Sequence, residues 1–137
     1  MKKNSSRIVL LALAMTLFLT GCGGDKPAIM FNTRPVTPET VMDNSFTFKP
    51  GQRIYYLILM PKTVNSRFLY IQIIKKGKAD RLGYELYWAD TVRLKDEQMY
   101  YYTDYIVLNE RGTYVMKVYS KDNPTKVLTD AQFFVGD

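Results

Sequence analysis

Arg53-Ile54-Tyr55-Tyr56-Leu57-Ile58-Leu59-Met60 is the stretch that decides the architecture. Ile54, Tyr56 and Ile58 fall on one side of an extended chain and Tyr55, Leu57 and Leu59 on the other, because successive strand side chains point to opposite faces. A run that is apolar on both faces suits a strand covered on both sides, and Pro61 ends it.

The neighbouring text follows the same two-residue rhythm. Phe68 to Lys76 sets Leu69, Ile71 and Ile73 against Phe68, Tyr70 and Gln72. Upstream, Phe46 and Phe48 alternate with Ser45, Thr47 and Lys49 before a Pro50-Gly51 turn. Downstream, Glu85 to Leu94 places Leu86, Trp88 and Val92 on one face. Met99 to Leu108, Gly112 to Ser120 and Lys126 to Val135 read as three more strands, with Asp122-Asn123-Pro124-Thr125 as the hairpin turn between the last two. No segment keeps a 3.6-residue apolar period over three turns. Six or seven strands at this spacing predict an all-β chain folded as an antiparallel β-sandwich or a small barrel.

Glu110-Arg111-Gly112-Thr113-Tyr114-Val115-Met116 resembles the tyrosine corner of immunoglobulin-like sandwiches, an acid-x-Gly-x-Tyr turn that enters a strand. The resemblance implies that the Tyr114 hydroxyl bonds back to backbone a few residues upstream, with Gly112 at the turn. It also implies that Tyr114, Met116 and Val118 point inward. The cysteine pair of antibody domains is missing, so the expectation is an immunoglobulin-like sandwich outside the antibody family proper.

At the other end of the chain, Lys2, Lys3 and Arg7 precede the uncharged run Ile8 to Leu19. A membrane span needs about 20 apolar residues, and this run is shorter; it has the length of a signal-peptide core. Leu19-Thr20-Gly21-Cys22 resembles the lipobox of bacterial lipoproteins. That resemblance implies cleavage between Gly21 and Cys22 and attachment of diacylglycerol to the Cys22 thiol, with a further fatty acyl chain such as palmitate often added to the new amino group. Gly23, where an aspartate would signal inner-membrane retention, implies an outer-membrane address if the source has an outer membrane. Otherwise the place is the outer face of the cytoplasmic membrane. The expected organisation is a signal peptide over 1–21, a lipidated cysteine and flexible tether over 22–39, and the β-sandwich over 40–137. Within the tether, Ile29-Met30-Phe31 reads as a first edge strand, a patch packed on the domain, or a membrane-surface contact.

The full chain has 19 Lys plus Arg against 13 Asp plus Glu. Removing residues 1–21 takes three of the cations, so the mature excess falls from +6 to +3, and nucleic acid is not an expected partner. Cys22 is the only cysteine, so a lipidated mature chain has no thiol left for a disulfide. The chain contains no histidine, which removes the commonest general base and metal ligand. The mature serines, Ser45, Ser66 and Ser120, lie in no nucleophile elbow, and the acids are not spaced as a calcium loop. The expectation is therefore no catalytic residue, no metal and no cofactor, and a chain that is not an enzyme. The best acid pair for a small hydrolase is Asp90 with Asp104, facing each other across a hairpin.

The eleven tyrosines are more informative. Alternation sends Tyr100 and Tyr102 one way and Tyr101 and Tyr105 the other, so some face solvent, and Tyr84 and Tyr87 join them if Trp88 points inward. Exposed tyrosines offer flat apolar area with a hydroxyl, suited to a protein partner or to sugar rings; equally, tyrosine shields outer sheet faces because it favours strands. The basic group Lys75, Lys76, Lys78 and Arg81 reads as a hairpin tip, either a solvated loop or a contact for anionic headgroups. These readings converge on a membrane-anchored envelope lipoprotein that binds or scaffolds an envelope protein partner. The alternative is a carbohydrate-binding module.

Overall fold

The computed structural model describes residues 26–60, 66–77 and 83–137. The signal peptide, Gly21, Cys22, Pro61, Lys78 and Arg81 lie outside the described residues. Those described form an all-β fold of two sheets, with eight strands where the sequence rhythm predicts about seven. The three-stranded sheet runs in the order β1 (Ala28–Asn32), β3 (Arg53–Leu59), β6 (Tyr101–Val107), antiparallel throughout. The five-stranded sheet runs β2 (Thr47–Phe48), β8 (Asn123–Val135), β7 (Gly112–Ser120), β4 (Phe68–Lys76), β5 (Tyr84–Arg93). It is antiparallel except where the short β2 lies parallel to β8. A single 3-10 turn, Asp96–Gln98, links β5 to β6.

The inward faces supply one core. β3 contributes Ile54, Tyr56 and Ile58, β4 contributes Leu69, Ile71 and Ile73, and β7 contributes Tyr114, Met116 and Val118, all buried. β1 is part of it. Ile29 pairs with Ile58 and Phe31 with Tyr56, and Phe31 packs on Phe133 with ring centroids 4.8 Å apart. Of the readings open for Ile29-Met30-Phe31, the edge strand is the one found. β1 thus lies within the stretch 22–39 expected as tether.

Three further points differ from the sequence expectations. The last hairpin turns at Lys121-Asp122, and Asn123 already pairs with Ser120, so Pro124 sits inside β8 rather than in the turn. β8 carries Pro124 near its start, where a missing N–H costs least. On β5 the alternation breaks: Ile73 faces Trp88 while Ile74 faces Leu86. That bulge adds one residue, so Leu86 turns outward at 60% exposed and Trp88 is only half-buried at the core's margin. Finally, Lys75, near the end of β4, is not part of a solvated tip. Its ammonium meets Glu110 at 2.8 Å and lies over the rings of Tyr114 and Tyr87.

The topology gives the sandwich two poles. The first carries the start of β1, the end of β3, the start of β4, the β5–β6 connection and the β7–β8 hairpin. The far pole carries the Pro50-Gly51 turn, with Gly51 at φ 79°, the end of β4, the start of β5 and the tyrosine corner.

Candidate functional site

The outer face of the three-stranded sheet is where exposed aromatics and a groove coincide. Register places Leu59 beside Tyr101, Leu57 beside Thr103 and Tyr55 beside Tyr105, all on the side away from the core. Residues 33–45, between β1 and β2, fold back over this face. They are fixed by backbone and side-chain bonds. The Ser45 amide donates to the Phe31 carbonyl at 2.9 Å, and the Asn32 side-chain amide donates to the Thr40 carbonyl at 2.7 Å. Arg34 pairs with Asp43 at 2.5 Å.

Between this segment and the sheet runs a groove of about 570 Å³. Val36, Pro38 and Val41 form one wall, Leu57, Leu59 and Thr103 the floor, and Tyr100 and Tyr101 the rim. Tyr100 is 61% exposed and Tyr101 45%. The lining is apolar with hydroxyls at its margin, the chemistry that takes an apolar or aromatic side chain of a partner. Beyond it, a smaller cleft of about 160 Å³ lies between Pro35, Val36 and the Tyr55–Tyr105 pair. Arg53 stacks over Tyr105 at 4.8 Å.

The other tyrosines singled out from the sequence are dispersed. Tyr102 points into the opening between the sheets, where its hydroxyl donates to Asp104 Oδ2 at 3.1 Å. Tyr84 is exposed on β5, on the other sheet. Tyr87, next to the bulge, packs edge-on against Tyr114 at 5.3 Å. So Tyr100, Tyr101 and Tyr105 share a face, and Tyr84, Tyr87 and Tyr102 do not join them. Leu57, Leu59, Val36 and Val41 were missed, because no sequence pattern reports that residues 33–45 return over β3.

Asp90 and Asp104 do not lie across a hairpin. β5 pairs with β4 and β6 with β3, so the two acids sit on edge strands of different sheets. Both occupy inward positions, opposite Ile71 and Tyr56 respectively, and so border the same opening. Burial pushes the Tyr102 phenol up to about 12, helped by the charge of Asp104 and its hydrogen bond and by Asp90. Burial also raises Tyr56, with Tyr102, Asp104 and Asp90 adding to it. At the corner, the Tyr114 hydroxyl donates to the Glu110 carbonyl at 2.6 Å. An added Cβ on Gly112 would stand 2.7 Å from Lys75 Cε.

No protein-family model matches the chain, and no curated protein matches it in sequence. Among solved structures, the soluble domain of PmoD from Methylocystis sp. ATCC 49242 is similar at 14% identity and a TM-score of 0.51, over 83% of this chain and 94% of that one. This likeness shows a shared β fold and nothing of activity. A superoxide reductase, neelaredoxin from Ignicoccus hospitalis, is similar at 10% identity and a TM-score of 0.47, over 86% of each chain. The expectation that the chain is not an enzyme is corrected on that finding. A likeness this distant assigns no activity.

Proposed function

We propose that this chain is a lipid-anchored lipoprotein of the bacterial cell envelope that binds an envelope protein partner through the outer face of its three-stranded sheet. The observation that carries the binding surface is the groove of about 570 Å³ rimmed by Tyr100 and Tyr101. Its apolar floor and phenolic rim match the make-up of protein-binding surfaces, where tyrosine contributes area and a hydroxyl at low entropic cost. The order of features in residues 1–22 supports the anchor: cations, a short apolar run, then Leu19-Thr20-Gly21-Cys22. The strand order and the Tyr114 hydrogen bond to Glu110 support an immunoglobulin-like reading of the sandwich.

Two measurements test this. The mass of protein extracted from membranes should show residues 1–21 removed and Cys22 acylated. A photo-crosslinking residue at position 101 should give one discrete protein adduct in native membranes, lost on Leu59→Ser with Val41→Ser, while the same residue at position 84 gives none. Equal adducts from positions 101 and 84 would count against the groove. Loss of the 101 adduct on adding envelope glycan would transfer the face to a carbohydrate ligand stacked on Tyr101 and Tyr105.

A further inference from the structure

The first pole of the sandwich gathers charge. Lys26 precedes β1, Arg67 precedes β4, Arg93 ends β5, Lys95 follows it, and Lys121 sits in the β7–β8 hairpin. Register and backbone bonds bring them to one end: Phe68 pairs with Arg93, the Leu94 amide donates to the Arg67 carbonyl, and the Lys121 amide donates to the Phe68 carbonyl. Arg67 is paired with Asp96. Lys26, Arg93, Lys95 and Lys121 hold no ion pair among the described residues, and the acids of the same connections, Asp96, Glu97 and Asp122, offset the five cations only in part. In their midst the Phe68 ring is 41% exposed, with the Lys121 ammonium 5.6 Å from its centroid. At the far pole Lys75 and Arg111 are neutralised by Glu110 and Asp137, while Lys49 and Lys76 hold no ion pair among the described residues.

Position gives this pole its partner. Cys22 precedes Ala28 by six chain steps, a reach of about 20 Å at most when fully extended. Ala28 pairs with Leu59 at the first pole. The far pole stands roughly another 30 Å away along nine-residue strands. We propose that the first pole lies against an anionic lipid surface, with Lys26, Arg93, Lys95 and Lys121 meeting headgroups around the ring of Phe68. This inference rests on acylation of Cys22. It also displaces the headgroup contact expected around Lys75 and Lys76, since the end of β4 lies at the far pole and Lys75 is bound to Glu110.

Each cation held near an anionic surface shifts its occupancy by about fivefold, and salt screens the effect. The test takes the mature protein from membranes, reconstitutes it in vesicles of phosphatidylcholine with or without phosphatidylglycerol, and follows amine labelling of each lysine by mass spectrometry. Lys26, Lys95 and Lys121 should label about fivefold more slowly on the anionic vesicles, with recovery in high salt, while Lys49 and Lys76 stay unchanged. Arg93→Glu with Lys121→Glu should stay vesicle-bound yet lose protection at Lys26 and Lys95. Uniform labelling of both poles on protein whose Cys22 is acylated overturns the docking and leaves the anchor standing. Unmodified Cys22 overturns the anchor and the docking together.

Discussion

At the residue scale, the corner turns on one hydroxyl and one missing methyl. The Tyr114 ring is fully buried and stacks on Phe133 at 5.6 Å, while its hydroxyl holds the Glu110 carbonyl. Tyr114→Phe keeps the ring and strands that carbonyl. A net hydrogen bond is worth about 1 kcal/mol, so the urea midpoint should fall by that equivalent with an unchanged slope; an unaltered midpoint would show the bond idle. Gly112 leaves room for the Lys75 stem, which passes over it to reach Glu110. Gly112→Ala should displace Lys75 and also hold a side chain at a φ of 157°, which glycine alone adopts freely, at a combined cost of about 1–3 kcal/mol. In a Lys75→Ala background the same change should cost less, and strictly additive losses would contradict the contact.

At the element scale, β1 and the two open edges govern behaviour. β1 covers one side of β3 and delivers Phe31 between Phe48 and Phe133. Truncating a buried phenylalanine to alanine costs about 3–5 kcal/mol, a large share of the roughly 5–15 kcal/mol of a small domain. A chain starting at residue 40 should therefore show no cooperative thermal transition, whereas one starting at residue 26 should. Equal transitions would mean that β1 is dispensable. On the opposite side, β5 and β6 end their sheets with no further strand paired to them among the described residues. Inward acids and bulges protect such edges from pairing with other chains, and Asp90, Asp104 and the bulge before Ile74 stand there. Asp90→Val with Asp104→Val should raise self-association on a sizing column at high protein concentration. A monomer peak identical to the wild type would remove this role.

At the scale of the whole molecule, two phenols of one sheet stand near an acid of the other at that opening. Tyr56 comes from the three-stranded sheet, as does Tyr102, and both feel Asp90 on the other sheet. Their folded pKa values are raised above the ordinary 10.0, Tyr102 to about 12. Between those values the unfolded chain has released a proton that the folded chain still holds. Stability is thus complete below about pH 10 and declines as pH climbs through the window. Urea midpoints measured across that range should fall, and Tyr102→Phe should flatten the decline. Parallel slopes for the two proteins would remove Tyr102 as a contributor.

Much of this molecule was legible without coordinates. β4 and β7 run between the very residues that alternation names, because a period of two over nine residues leaves no other way to bury Leu69, Ile71 and Ile73 or Tyr114, Met116 and Val118. The corner was readable too, since acid, glycine and tyrosine at that spacing form a local turn whose bond spans four residues. Sequence alone therefore determined strand identity, facing and the all-β class, which are properties of neighbours along the chain. Tertiary structure decided the rest. The bulge that turned Leu86 outward depends on how β5 meets β4, and a one-residue slip reverses every side chain after it. The split of the tyrosines between two sheets depends on β5 and β6 not pairing. The groove exists only because residues 33–45 return over Leu57 and Leu59. Those are contacts between segments distant in sequence, and no local pattern encodes which distant partner a face will meet.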